Sequence, residues 1–108
     1  KKDVIVKGSL DRFRDFIYID DAIRACKLKF NTKESIFNVG SGKATTVRKL
    51  LNKLLYISKT KKKIIVFANQ KNDTFGTFAN IKKIKKLKWK PLVDLDLGIK
   101  KTLKFLKN

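Results

Sequence analysis

Arg12-Phe13-Arg14-Asp15-Phe16-Ile17-Tyr18-Ile19-Asp20-Asp21 is the stretch on which the reading of this chain turns. Upstream, the β-branched run Val4-Ile5-Val6 ends near Gly8 and reads as a strand. Phe16-Ile17-Tyr18-Ile19 reads as a second strand. Asp20 or Asp21 then suits the cap of a helix in which Ile23, Cys26 and Phe30 share one stripe, and Asn31-Thr32-Lys33 breaks it. The piece between Gly8 and the second strand carries two guanidinium groups, Arg12 and Arg14. Two such forks beside a glycine turn suit bidentate contacts to phosphate. A surface ion pair of Arg14 with Asp15 or Asp11 is the plainer alternative, and residue types alone lean slightly toward it.

Working outward, Ile36-Phe37-Asn38-Val39 reads as a third strand running into Gly40-Ser41-Gly42. Thr45 or Thr46 caps the helix that follows. Its apolar residues Val47, Leu50, Leu51, Leu54 and Leu55 keep the i, i+3, i+4, i+7, i+8 spacing of an amphipathic helix. Ile64-Ile65-Val66-Phe67 reads as a buried strand, Asn69 to Asp73 as a loop, and Phe75 to Ala79 as a short strand. Asn80 caps a short helix bearing Ile84 and Leu87, which the Trp89-Lys90-Pro91 run ends. Asp94 or Asp96 caps a last helix with Ile99, Leu103 and Leu106 on one face. Strands alternating with helices over short connections predict an α/β, or α+β-like, unit of short strands with three to four helices, a single domain over residues 1–108.

Composition narrows the function. The 108 residues contain no methionine and begin with Lys1, so a piece cut from a longer chain is the expectation. With 43% hydrophobic and 34% charged residues the chain has the material for a core. No apolar run approaches the roughly 20 residues of a membrane span. The lone Cys26 allows no internal disulfide, so a reducing, cytoplasmic setting is expected. Without histidine and with one cysteine there is no zinc site to build. The net charge of +19 suggests a polyanion partner. Yet only four of the 28 basic residues are arginine, and nucleic-acid readers enrich arginine for its fork and its stacking. Lysine is scattered over nearly every segment beside much isoleucine and asparagine, which favours compositional drift over nucleic acid as a partner.

Three segments offer chemistry. The first is Arg12-Phe13-Arg14-Asp15. The second is Gly40-Ser41-Gly42 before a helix, a phosphate cradle in principle. A dinucleotide fingerprint needs a further glycine where Thr45 stands, so an ordinary connection suits the loop better. The third is Asn72-Asp73-Thr74, whose carboxylate could accept from ribose hydroxyls or simply form an Asx turn. No catalytic constellation is complete. Tyr18 and Tyr56 lack a lysine four residues on, where Ala22 and Thr60 stand.

Taken in order, these segments resemble the carboxy-terminal third of extended short-chain dehydrogenases, the NAD-dependent nucleotide-sugar epimerase and dehydratase family, with UDP-glucose 4-epimerase-like members the nearest in pattern. Val6 through Asp21 is similar to that family's G…RDF(I/V)Y(V/I)DD segment. Phe37-Asn38-Val39-Gly40-Ser41-Gly42 is similar to its FN(I/V)G(T/S)G, Asn72 through Asn80 to its GD(T/Q)FGTYAD, and Leu87-Lys88-Trp89-Lys90-Pro91 through Leu97-Gly98 to its LGWKP segment. Each motif is modest alone. Four in the correct order and spacing cover nearly the whole chain.

The resemblance implies a substrate-binding subdomain. Its arginine before Asp-Phe grips the nucleotide or its diphosphate, which points to Arg14, and its loop aspartate meets the ribose, which points to Asp73. A second phosphate-binding arginine of the family falls near Gln70, Asn72 takes the place of a glycine, Asn80 that of an aspartate, and Lys88 that of the glycine before tryptophan. The candidate substrate set is therefore Arg14, Asp73, Arg12 and Gln70. The family's G-x-x-G-x-x-G loop for NAD and its Tyr-x-x-x-Lys pair do not occur here, so the expectation is no NAD bound by this piece, NAD in the parent enzyme, and no catalysis by the piece alone. Residues of about 16–30 would pack on the Rossmann domain of the parent. Exposed apolar surface, and with it self-association or a homodimer, is then expected of the piece by itself. The expected ligand is a nucleotide-sugar, a UDP-sugar first. Two alternatives stand beside this: a standalone Lys-rich nucleic-acid-binding module, and a regulatory module that binds nucleotide-sugars without catalysis.

Overall fold

The computed structural model describes residues 2–29, 36–67 and 74–107. Among them are four helices and four short strands in an α/β arrangement. Strand β1 (Val4–Lys7) pairs in parallel with β4 (Ile64–Phe67), in the register Val4 to Ile64 through Lys7 to Phe67. Strand β2 (Phe13–Arg14) pairs antiparallel with β3 (Thr45–Thr46). Phe13 also bridges to Gly76, so the arginine segment sits between two strangers in sequence.

Helix α1 (Ile19–Cys26) starts without a side-chain cap. Asp20 and Asp21 were natural cap residues by type, yet both lie inside the first turn, where a carboxylate still suits the helix dipole. Phe16 to Tyr18 is not in a ladder, and Ile36 to Val39 is not either. Both runs have strand composition, but the hydrogen-bonding edges go to β2 and β3 instead. Helix α2 (Val47–Ile57) follows β3 directly and is capped by Thr46, whose Oγ1 accepts from the Lys49 amide at 3.1 Å. Helix α3 (Lys82–Lys85) is a single turn, with the Asn80 side chain accepting from the Lys82 amide at 3.1 Å. Helix α4 (Leu95–Lys107) is capped by Asp94, whose carboxylate accepts from the Leu97 amide at 2.8 Å. No helix among the described residues is long and apolar enough to cross a membrane.

The molecule is a plate of 51 × 37 × 17 Å with a radius of gyration of 16.4 Å. A rounded chain of this length would have a radius of roughly 13 Å. A plate this thin buries little. Its core is the cluster Ile81, Ile84 and Trp89, with Ile17, Ala25, Leu28, Phe37 and Ala79 packed around it. Trp89 is 1% exposed and its indole N–H donates to the Asp21 carbonyl at 3.2 Å. Asp21 is equally buried and is the polar hub of this region. Its Oδ1 accepts from Arg24 at 2.7 Å and from the Leu92 amide at 3.1 Å, and its Oδ2 from the Val93 amide at 3.0 Å. It thereby fastens the chain after Trp89 onto α1.

The apolar residues left over lie outside. Ile65, Val66 and Phe67 of β4 are exposed, contrary to the buried strand that their sequence suggests. Ile19, Ile23 and Cys26, one stripe of α1, also face outward. Phe30, expected on that stripe, lies outside the described residues, as do Gln70, Asn72 and Asp73.

Candidate functional site

Strand β2 sets the arginines. Phe13 donates its amide to the Phe75 carbonyl at 3.0 Å, and the Thr77 amide donates back to Phe13 at 3.3 Å. This lays Arg14 beside the run that follows Asp73. The Arg14 guanidinium donates to the carbonyls of Phe13 at 2.8 Å, Thr74 at 2.6 Å and Phe75 at 3.3 Å. Arg12 turns the other way: its Nε donates to the Ser9 carbonyl and its Nη2 to the Lys7 carbonyl, both at 2.9 Å. The two guanidinium groups thus brace different turns. Asp11 pairs with Arg48 at 3.3 Å.

Asp15 does something residue type does not advertise. Its Oδ1 accepts from the Ser41 amide at 2.8 Å and the Ser41 hydroxyl at 2.6 Å. Its Oδ2 accepts from the Gly42 amide at 2.9 Å and the Ala79 amide at 3.1 Å. Burial pushes this carboxyl up, but the donors from Ser41, Ala79 and Gly42 together outweigh it and hold the group below the ordinary aspartate range. Gly40-Ser41-Gly42 therefore does cradle an anion, and the anion is the chain's own Asp15. The start of α2 is likewise occupied: the Val47 amide donates to the Arg12 carbonyl at 2.8 Å and the Arg48 amide to the Leu10 carbonyl at 3.0 Å. The helix's first amides serve the fold, as an ordinary connection would have them do.

These segments enclose a cleft of about 530 Å³ walled by Arg14, Asp15, Asn38, Val39 and the run from Thr77 to Asn80. A guanidinium, two carboxamides, a hydroxyl and the half-exposed ring of Phe78 converge on it. Such a set offers donors to an anion and polar partners to hydroxyls. Among the described residues no group of acidic, cysteine or histidine side chains could hold a metal ion.

No protein-family model matches the chain. It is 36% identical over 104 residues to a dTDP-4-dehydro-6-deoxyglucose reductase of Escherichia coli, an alignment that covers 93% of the chain and 33% of the relative. It is 33% identical over 114 residues to a UDP-glucuronate 4-epimerase of Thermodesulfobacterium geofontis, covering 99% of the chain and 34% of the relative. The structure superposes with a TM-score of 0.91 on the UDP-glucose 4-epimerase of Thermotoga maritima solved with UDP-glucose, at 30% identity, covering 98% of this chain and 35% of that one. The chain belongs to the UDP-glucose 4-epimerase-like family of NAD-dependent epimerases.

It spans about a third of the length of the curated epimerase-family relatives it matches. A Bacillus cereus UDP-glucuronic acid 4-epimerase solved with UDP-glucuronic acid and NAD shares the fold at a TM-score of 0.85 and 26% identity. Against this epimerase frame the site residues divide. Arg14 lies on the cleft. Arg12 lies away from it, over the Lys7–Ser9 turn. Asn38, Thr77 and Asn80 reach the cleft although only their motifs, and not their side chains, stood out in the sequence. The signal that could have found them is their place within the FNVGSG and FGTFAN runs.

Proposed function

We propose that this chain is the nucleotide-sugar-holding part of an NAD-dependent epimerase or dehydratase, with UDP-sugars as its ligand class. The observation that carries the reading is Arg14 on the wall of the cleft, in a fold that superposes on an epimerase solved with UDP-glucose. Arg14 supplies a planar fork suited to a diphosphate. In this reading Asp73 contacts the ribose and Gln70 belongs to the substrate set, whereas Arg12, bound over the Lys7–Ser9 turn, stands outside the cleft. The hydride chemistry belongs to the parent enzyme, since neither the G-x-x-G-x-x-G loop for NAD nor a Tyr-x-x-x-Lys pair occurs in these 108 residues. This part contributes an electrostatic clamp on the diphosphate while the sugar reacts.

The outward stripe of α1, Ile19, Ile23 and Cys26, supports docking of residues of about 16–30 on the Rossmann domain, and homotypic association where that domain is absent. The exposed thiol of Cys26 suits the reducing cytoplasm.

Calorimetric titration with UDP-glucose tests the reading. Saturable binding is expected, weakened about tenfold or more in Arg14→Ala. Folded protein that takes up no UDP-glucose would overturn it.

A further inference from the structure

We infer that Asp15 is the positioning residue of the cleft: its carboxylate joins the segments that wall it and so fixes Arg14 relative to Asn38–Val39 and Thr77–Asn80. The inference rests on the reading of this cleft as the nucleotide-sugar site.

The geometry is that of a staple. The donors come from positions 26, 27 and 64 residues away in the chain. An ionised carboxylate has about four lone-pair sites. Here each oxygen takes two donors, from Ser41 N–H and O–H on one side and from Gly42 and Ala79 N–H on the other. Asp15 thus has no acceptor left for a ligand, although it lines the cleft. It acts through its neighbour. Arg14 is the next residue, so any displacement of the Asp15 backbone carries the guanidinium with it.

The packing is built for this contact. A Cβ on Gly40 would stand 2.6 Å from Asp15 Oδ2 and 2.8 Å from the Ala79 Cβ, so no side chain fits between the three segments. Charge points the same way. A bare carboxylate on the wall of an anion site would repel the anion, and four convergent donors disperse that charge. An Asn in its place would turn an NH₂ group toward amides that are themselves donors, and would break half of the staple.

The test uses the 108-residue chain with UDP as the probe. The Arg14 Nε–H resonance is followed by ¹H–¹⁵N NMR, first without ligand and then through a UDP titration, for the wild type, Asp15→Asn and Ser41→Ala. A positioning role predicts that the ligand-free Arg14 resonance moves in both variants. UDP affinity should fall about tenfold in Asp15→Asn and about threefold in Ser41→Ala, which removes one donor only. A residue that merely holds the fold would lower the melting temperature while leaving the Arg14 resonance and the UDP affinity of the folded fraction alone, and that result overturns the inference. If Asp15→Asn does not fold, Ser41→Ala decides by the same two readouts. If the wild type binds no UDP, the ligand reading fails by itself. The ligand-free resonance then judges Asp15: moved, it still positions Arg14; unmoved, it does not.

Discussion

Gly76 lies against the ring of Phe13 so closely that a Cβ on Gly76 would stand 2.1 Å from the ring Cζ. The two residues are also bridged through the backbone. Phe13 meets Phe75 edge-on, with ring centroids 6.1 Å apart, and tilts against Phe78 at 6.5 Å. The ring is thus held on several sides and has little room to yield. Gly76→Ala is expected to destabilise the chain by about 1–3 kcal/mol, the usual cost of overpacking. Urea denaturation should show a lower midpoint with an unchanged slope. An unchanged midpoint would mean that the ring moves aside freely.

Lys88 has a φ of 62°, a left-handed conformation that costs a side-chain-bearing residue about 1–2 kcal/mol. Its amide closes the turn after α3 by donating to the Lys85 carbonyl at 3.0 Å, and buried Trp89 follows. The turn demands that conformation, and glycine, which stands at this place in the LGWKP pattern the segment resembles, adopts it at no steric cost. Lys88→Gly is expected to stabilise by about 0.5–1 kcal/mol once the greater freedom of unfolded glycine is subtracted. Thermal melting checks it, and a lower melting temperature would count against the strain argument.

Asp21 and Asp15 make stability depend on acid. For Asp21, burial pushes the carboxyl up, but Arg24 and the Leu92 and Val93 amides hold it below the ordinary value on balance. Asp15 is depressed by its own donors in the same way. A folded-state pKa below the unfolded one means that the unfolded chain takes up protons first. The contribution is therefore complete above about pH 4, the unfolded aspartate range, and is lost as pH falls through the depressed folded values. Urea midpoints between neutral pH and about pH 3 should fall steeply for the wild type and less so for Asp21→Asn. Asp21→Ala, which strands the Leu92 and Val93 amides, should cost about 3 kcal/mol or more.

Ile19 is 60% exposed, Ile23 44%, Phe105 77% and Leu106 70%, a large apolar load for the outside of a small chain. Size-exclusion chromatography is expected to show an elution volume that falls with rising concentration, and Ile19→Lys with Ile23→Lys should weaken that dependence. A constant monomer volume for the wild type would contradict this.

What could be read from the sequence was what local chemistry decides. Helix α2 was legible because Leu50, Leu51, Leu54 and Leu55 keep helical spacing and Thr46 caps it from one residue away. Asp94 announced α4 in the same manner. Val4–Lys7 and Ile64–Phe67 were legible as strands from β-branched content, but not as partners, because parallel pairing across some 60 residues leaves no local trace. Phe16 to Ile19 has a strand's composition and no partner edge, while the two-residue strands Phe13–Arg14 and Thr45–Thr46 are too short to show a period. At the site, residue type alone leaned toward a surface ion pair for Arg14, and only its motif pointed to the place it takes on the wall of the cleft. The contacts of Asp15 were not legible, because three of its four donors are backbone amides of Ser41, Gly42 and Ala79, which any residue could supply.

The most direct test of the central claim is a crystal structure of this chain with UDP-glucose. The account requires diphosphate oxygens within about 3 Å of the Arg14 guanidinium, in the cleft between Asn38 and Asn80. UDP-glucose bound elsewhere, for example along the lysines of α4, with that cleft empty, would contradict it.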